Sequence, residues 1–288
     1  MKTPRKNIIL SSAALLVLGC FGTLSAQAGL VGFDSFEDYT AGSNIHGQNG
    51  GTGWGGAWVV QPIGGSAGTA AISSTSITYN HGGVTLGGGK SLLLSNTSNG
   101  TQRNVFEAID NSGSDYYVSM IFQFSGTVFA GWQALDGSPD INNDSIGLVN
   151  TNGSVGARVD GATSSSGAGA VVQNTTYFMV VQYTGWTVAN PQYTTVNLWI
   201  NPNTGDQSAS SVSATYTDIT PTDGGGSAGF LGVYARTIID SGESMLIDDL
   251  RVGTDWASVT AIPEPSTYSL VLAGVATLST LCSRRRRV

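Results

Sequence analysis

From Tyr116 to Phe124 every second residue is large and apolar: Tyr116, Val118, Met120, Phe122 and Phe124. Side chains on an extended chain alternate between two faces, so these five share one buried side of a strand and leave the intervening residues on the other. The same period recurs at Thr194, Val196, Leu198 and Ile200, where Pro191 and Pro202 bracket the segment and Asn201-Pro202-Asn203-Thr204-Gly205 supplies turn chemistry. Clear strands are predicted over 115–124, 176–184, 193–200, 227–235 and 244–252. Weaker ones fall over 57–60, 72–79, 91–95, 104–109, 145–150 and 155–159. Clusters of Gly, Asn, Ser and Asp separate them, and long amphipathic helical patterns are absent. The Ser/Gly/Ala segment 162–170 reads as a flexible loop. Such spacing predicts an all-β sandwich or barrel.

Both ends of the chain fall outside that pattern. Lys2, Arg5 and Lys6 precede an apolar run over 8–18, and Ala26 and Ala28 place small residues at both specificity positions of a signal peptidase. Residues 1–28 therefore read as a signal peptide. Leu16-Val17-Leu18-Gly19-Cys20 approaches a lipoprotein box, but Leu18 is bulky for it and 21–24 lacks a polar tether. At the other end, Pro263-Glu264-Pro265 is followed by an apolar run over 268–282 and by Arg284, Arg285, Arg286 and Arg287. The prolines lack backbone donors and stiffen the tripeptide, which suits it to being gripped by a processing enzyme. As a helix the apolar run spans roughly 22 Å. That is short of the ~30 Å hydrocarbon core, so it crosses only with help from its flanks. Arginines behind it favour the cytoplasmic side. This layout, 263–288, closely resembles the PEP-CTERM tail of exported proteins in Gram-negative bacteria. The resemblance implies transient anchoring in the inner membrane, removal of the tail by exosortase, and delivery to the cell surface or an exopolysaccharide matrix. The other reading of the segment is a permanent anchor.

Residues 29–262 remain, 234 in number, which suits one sandwich domain. They carry five basic residues against eighteen acidic ones, a formal charge of −13. Such a surface repels nucleic acid and anionic lipid, so neither is an expected partner. The two cysteines, Cys20 and Cys282, both lie in the end segments, so the domain is expected to hold together without disulfides.

The segment 32–58 (GFDSFEDYTAGSNIHGQNGGTGWGGAW) and the segment Leu246-Ile247-Asp248-Asp249-Leu250-Arg251-Val252-Gly253 resemble the two ends of bacterial concanavalin-A-like, laminin-G-like jelly rolls. The resemblance implies a jelly-roll β-sandwich whose first and last strands are neighbours, bringing Glu37 near Asp248 and Asp249. Strand parity groups Asp248 with Leu246, Leu250 and Val252 and points its carboxylate inward. A carboxylate there must be paired or metal-bound. Related carbohydrate-binding modules hold a structural Ca²⁺ this way, which makes Glu37, Asp248 and Asp249 the candidate ligands. The alternative is capping by Arg251 or backbone N–H groups. Asp140-Ile141-Asn142-Asn143-Asp144 has oxygen ligands at spacing two, but Ser145 and Thr151 stand where an EF-hand needs glycine and a bidentate glutamate. It reads as an Asx-rich turn.

Catalytic constellations are harder to find. The glutamate strand of jelly-roll glucanases is missing, and Glu37, Glu107 and Glu243 are widely spaced. His46 and His81 each follow a turn-like Asn with Gly nearby and read as loop residues. The positive signal is aromatic. Tyr193, Asn197 and Trp199 lie opposite the apolar face of their strand, with Tyr117 expected on the same sheet face. Sugar rings stack on such platforms, with amides as hydrogen-bond partners. Ordinary packing uses the same residue types, and Trp54, Trp58, Trp132 and Trp186 sit among glycines where they can line a groove. The expected function is that of an exported, non-catalytic glycan-binding or structural domain associated with exopolysaccharide. The alternative is a polysaccharide-degrading hydrolase or lyase.

Overall fold

A computed structural model describes residues 29–62, 69–95, 99–105, 115–125, 129–135, 154–159, 163–185, 187, 194–203, 207, 210–215, 231–238 and 244–260. In chain order the strands are β1 (Leu30–Asp34), β2 (Val59–Pro62), β3 (Thr69–Ser73), β4 (Thr78–His81), β5 (Val84–Gly87), β6 (Ser91–Ser95), β7 (Asn99–Val105) and β8 (Tyr116–Ser125). They continue with β9 (Phe129–Leu135), β10 (Ser154–Val159), β11 (Thr163–Ala170), β12 (Tyr177–Thr184), β13 (Thr195–Ile200), β14 (Val212–Thr215), β15 (Leu231–Ile238) and β16 (Ser244–Gly253). A single turn of helix, α1 (Trp256–Thr260), follows the last strand.

The main sheet runs β14-β13-β12-β8-β16-β6-β3, with β1 also paired to β16. A second sheet runs β2-β7-β15-β9, and β4–β5 and β10–β11 form two-stranded hairpins. All pairings are antiparallel. The last strand sits between β8 and β6 rather than beside its sequence neighbour, and the first strand lies next to it, giving the expected jelly-roll sandwich.

The alternation of β8 does what its spacing predicts. Tyr116, Val118, Met120, Phe122 and Phe124 enter one core with Met179, Val181, Tyr183, Val196, Leu198, Leu92 and Leu94, and β2 and β10 bring Val60 and Ala157 onto it. Removing each large side chain here from water contributes about 1.5–3 kcal/mol. The opposite face of the main sheet is also covered. Tyr117, Ile121, Phe178, Val180, Trp199 and Leu246 form a second cluster with Leu86 of β5, with Ile77 just before β4, and with Trp256 and Val259 of α1.

Three expectations change. The predicted strand 72–79 is two strands, β3 and β4, separated by a turn. Within the segment 162–170, residues 163–170 are the strand β11, held by backbone pairing to β10 from Val159↔Thr163 onward, so ladder hydrogen bonds override weak side-chain propensity. His81 is no loop residue. It ends β4, is 2% exposed, and packs on Phe178 at 4.7 Å. The predicted strand 145–150 lies outside the described residues.

Candidate functional site

Two places attract attention, and the first is the acidic group at β16. The register of β16 against β8 shifts between Asp248 and Arg251, and Asp249 takes a positive φ of 53°. This bulge inserts a residue and reverses the phase of the strand. Met245, Ile247, Leu250 and Val252 therefore all face the inner core, while Leu246 belongs to the outer cluster. The inward grouping of Asp248 with Leu250 and Val252 is thus corrected. Asp248 is fully buried, but it lies beneath the β4–β5 hairpin, where Gly88 N–H donates to its Oδ2 at 3.1 Å and Asp249 N–H to its Oδ1 at 2.6 Å. Gly87 has φ +69°, and a side chain there would overlap the Ile121 methyl and stand 2.9 Å from Asp248 Oδ2. Burial pushes the Asp248 carboxyl up to about 8; the Asp249 and Glu37 charges add to this, and the N–H groups of Asp249 and Gly88 oppose it.

Its neighbours are matched by protein donors as well. Asp249 receives Arg251 Nε at 3.0 Å and a second guanidinium nitrogen at 2.9 Å on Oδ1, with Gly87 N–H on Oδ2 at 3.2 Å. Glu37 Oε1 accepts Lys90 N–H at 2.6 Å, and the Lys90 ammonium rests on the carbonyls of Glu37 and Tyr39, 2.7 Å from each. A calcium site gathers about six to eight oxygen ligands around a cation. Here the carboxylates face N–H donors and the free carbonyls hold an ammonium, which is the opposite polarity. Among the described residues no group of three or more His, Cys, Asp or Glu side chains is placed to hold a metal ion. Glu37, Asp248 and Asp249 as arranged do not fit calcium; donor capping is the reading the geometry follows.

The tryptophans near the start serve the same structural end. Asp34, absent from the sequence-level candidates, is fully buried and accepts Phe36 N–H at 2.9 Å, Tyr39 OH at 2.6 Å and Trp58 Nε1 at 3.1 Å. Trp58 is therefore a core residue. Trp54 packs against it at 6.2 Å and donates to Phe33 O. Trp186 lies outside the described residues, as does the side chain of Trp132.

The second place is on the outer face of the main sheet, where parity placed Asn197, Trp199 and Tyr117. All three are there. Asn197, Trp199, Gln182, Gln207 and Ser210 line an open depression of about 510 Å³. An amide network forms its floor. Gln182 Nε2 donates to Asp115 Oδ2 at 2.6 Å and to Tyr117 OH at 2.8 Å, while its Oε1 accepts Asn197 Nδ2 at 3.0 Å. Gln207 Nε2 donates to Tyr117 OH at 2.8 Å. Burial raises the Tyr117 phenol above its ordinary value, so it stays neutral and available as a hydrogen-bond partner. The cross-strand registry Tyr117↔Gln182↔Asn197 puts these groups in one row across β8, β12 and β13.

Trp199 is not the open stacking platform that strand parity alone suggests. It is 5% exposed and packs T-shaped with the Trp256 ring at 5.0 Å, so α1 lies against it. Its contribution to the depression is an edge. Tyr193 lies outside the described residues. Gln182, Gln207, Ser210 and Asp115 were missed in the sequence; of these, Gln182 carried a signal, as the polar residue in the outward row Phe178, Val180, Gln182 of an otherwise apolar strand. Gln207 and Ser210 come from the β13–β14 connection, which has no periodicity to read.

Ala26, Ala28, Asp140–Asp144 and the tail with Pro263, Glu264, Pro265 and Arg284–Arg287 lie outside the described residues. Among the described residues no helix is long and apolar enough to cross a membrane.

No curated protein matches the chain in sequence. Among solved structures it is similar to domain 4 of AbnA, an extracellular arabinanase from Geobacillus stearothermophilus, in complex with arabinotriose. Identity is 15%, coverage 81% of this chain and 98% of that one, and the TM-score 0.46. It is also similar to the T. cruzi calreticulin globular domain (13% identity, 79% and 95% coverage, TM-score 0.44). A third is the endo-β-1,4-glucuronan lyase of the fungus Trichoderma reesei (12% identity, 72% and 93% coverage, TM-score 0.42). At these scores no residue role carries over. Residues 261–287 match the PEP-CTERM protein-sorting motif, so this is an exported protein that carries a sorting motif.

Proposed function

We propose that the domain is a non-catalytic glycan-binding module, delivered to the cell surface or extracellular matrix after exosortase removes its tail, and that it binds exopolysaccharide in the outer-face depression. The observation that carries this reading is the row Tyr117–Gln182–Asn197 with Gln207 at the edge of Trp199. Fixed amides around an aromatic edge, open to solvent on one side, suit the hydroxyl groups of a sugar chain passing across a sheet. Export towards an exopolysaccharide setting supplies the ligand class.

Affinity electrophoresis through gels containing polysaccharide tests it. Wild-type protein is expected to be retarded, and Asn197→Ala combined with Gln207→Ala to lose at least about tenfold in apparent affinity, or roughly 1.4 kcal/mol. The melting temperature should stay close to wild type, because Gln207 is exposed and Asn197 only partly buried. Retardation unchanged in the double variant, or release of reducing ends from the polymer, would count against the proposal.

A further inference from the structure

Resting on the glycan-binding reading, the hydrogen-bond bookkeeping of the depression goes one step further: we infer that it selects an uncharged polysaccharide and rejects a polyuronate. Gln182 has both amide hydrogens committed, to Asp115 and Tyr117, and its carbonyl oxygen accepts from Asn197. It acts as a brace and leaves the contacts to others. Among the described residues, the groups still open at the depression are the Asn197 carbonyl oxygen and second amide hydrogen, the same pair on Gln207, and the Ser210 hydroxyl. That set holds both acceptors and donors. A sugar hydroxyl both donates and accepts, so vicinal hydroxyls satisfy it. A polyuronate keeps hydroxyls too, but wherever its carboxylate enters the depression that group only accepts and cannot donate to the Asn197 or Gln207 oxygen.

Charge argues in the same direction. The Asp115 carboxylate stands 2.6 Å behind the Gln182 amide. Among the residues whose side chains are described, the Lys and Arg cations are engaged elsewhere, Lys90 on the Glu37 and Tyr39 carbonyls and Arg251 on Asp249. Domains that recognise carboxylates present an arginine fork or an ammonium to them. Here a uronate entering the depression meets an anion one side chain away. At physiological salt the Debye length is about 8 Å, so this local charge is felt while the domain's general acidity is largely screened.

The test runs dextran, arabinan and galactomannan against the carboxymethylated form of each, in affinity gels at about 0.15 M salt. The neutral polymer that retards the full domain is expected to bind at least about tenfold more tightly than its carboxymethylated form. In Asp115→Asn, whose amide oxygen can still accept from Gln182, that ratio should collapse towards one. Equal or stronger retardation by the carboxymethylated polymer, still lost in the Asn197→Ala, Gln207→Ala protein, overturns the charge selection and leaves glycan binding standing. A ratio that Asp115→Asn does not move also overturns it, assigning the preference to the domain as a whole. Retardation by none of the six polymers overturns both readings.

Discussion

At neutral pH Asp248 keeps its proton, because the β4–β5 hairpin strips water from it more than the N–H groups of Gly88 and Asp249 compensate. Its ordinary value is 3.8 and its folded value about 8, so between those limits the folded domain binds more protons than the unfolded chain. The sign follows: the contribution of this group to stability is fully present below about pH 4 and is lost as pH rises towards 8. His81 runs the other way, since burial and then Arg251 lower its value, and its contribution is present above about 6.5 and lost as pH falls. Comparing wild type with Asp248→Asn cancels the histidine. Thermal melts at pH 5 and 8.5 are expected to show a fall for wild type and a much smaller one for the asparagine variant; parallel curves would mean Asp248 is already ionised. How this residue sits was only half legible beforehand. Its burial and its need for donors follow from a carboxylate in an apolar strand, but its face does not. The bulge depends on Asp249 adopting φ 53°, a left-handed conformation that Asp tolerates better than most residues and that no pattern in Ile247–Leu250 announces.

Helix α1 shows how a short element decides what a sheet face can do. Asp255 starts it, accepting Ser258 N–H at 2.7 Å, and Ser119 Oγ holds its far end through Val259 O at 2.7 Å. That docking lays Trp256 against Trp199 and Tyr117 and seals part of the face which strand parity alone leaves open. Trp256→Ala should therefore behave as a cavity variant, costing about 3 kcal/mol, the low end for a buried tryptophan, since the ring keeps 8% exposure. For a domain of this size that lowers Tm by roughly 6–12 °C. A melt within a degree or two of wild type would show that the helix is not bound to the sheet. The long strands of the main sheet were legible because one face carries the whole apolar load. Elements built from backbone pairing, such as β11 with its serines and glycines, and elements five residues long, such as α1, offer too little side-chain periodicity to be seen.

On the scale of the whole molecule, the folded domain and the sorting motif meet within a residue. Described packing closes at Thr260 on α1, and the motif occupies 261–287. The last strand lies in the middle of the main sheet, so the chain reaches α1 only after crossing the core, and α1 is held on the outer face through Ser119. Tail removal there takes away none of the described core side chains that hold the two faces of the main sheet. Processing should thus release a domain that is already complete, and the protein recovered from the cell surface is expected to end near Pro263 and to melt as the recombinant domain 29–262 does. The acidic residue between the two prolines is the one charged group in the 261–283 stretch, so an enzyme reading the motif has no other charge there to hold. Glu264→Ala is therefore expected to keep Arg284–Arg287 and to be enriched in the membrane fraction over wild type. Intact-mass measurement decides it: a surface form of wild type that still carries the four arginines would make the segment a permanent anchor, and the sheet face with its amide row would then work at the membrane rather than in the matrix.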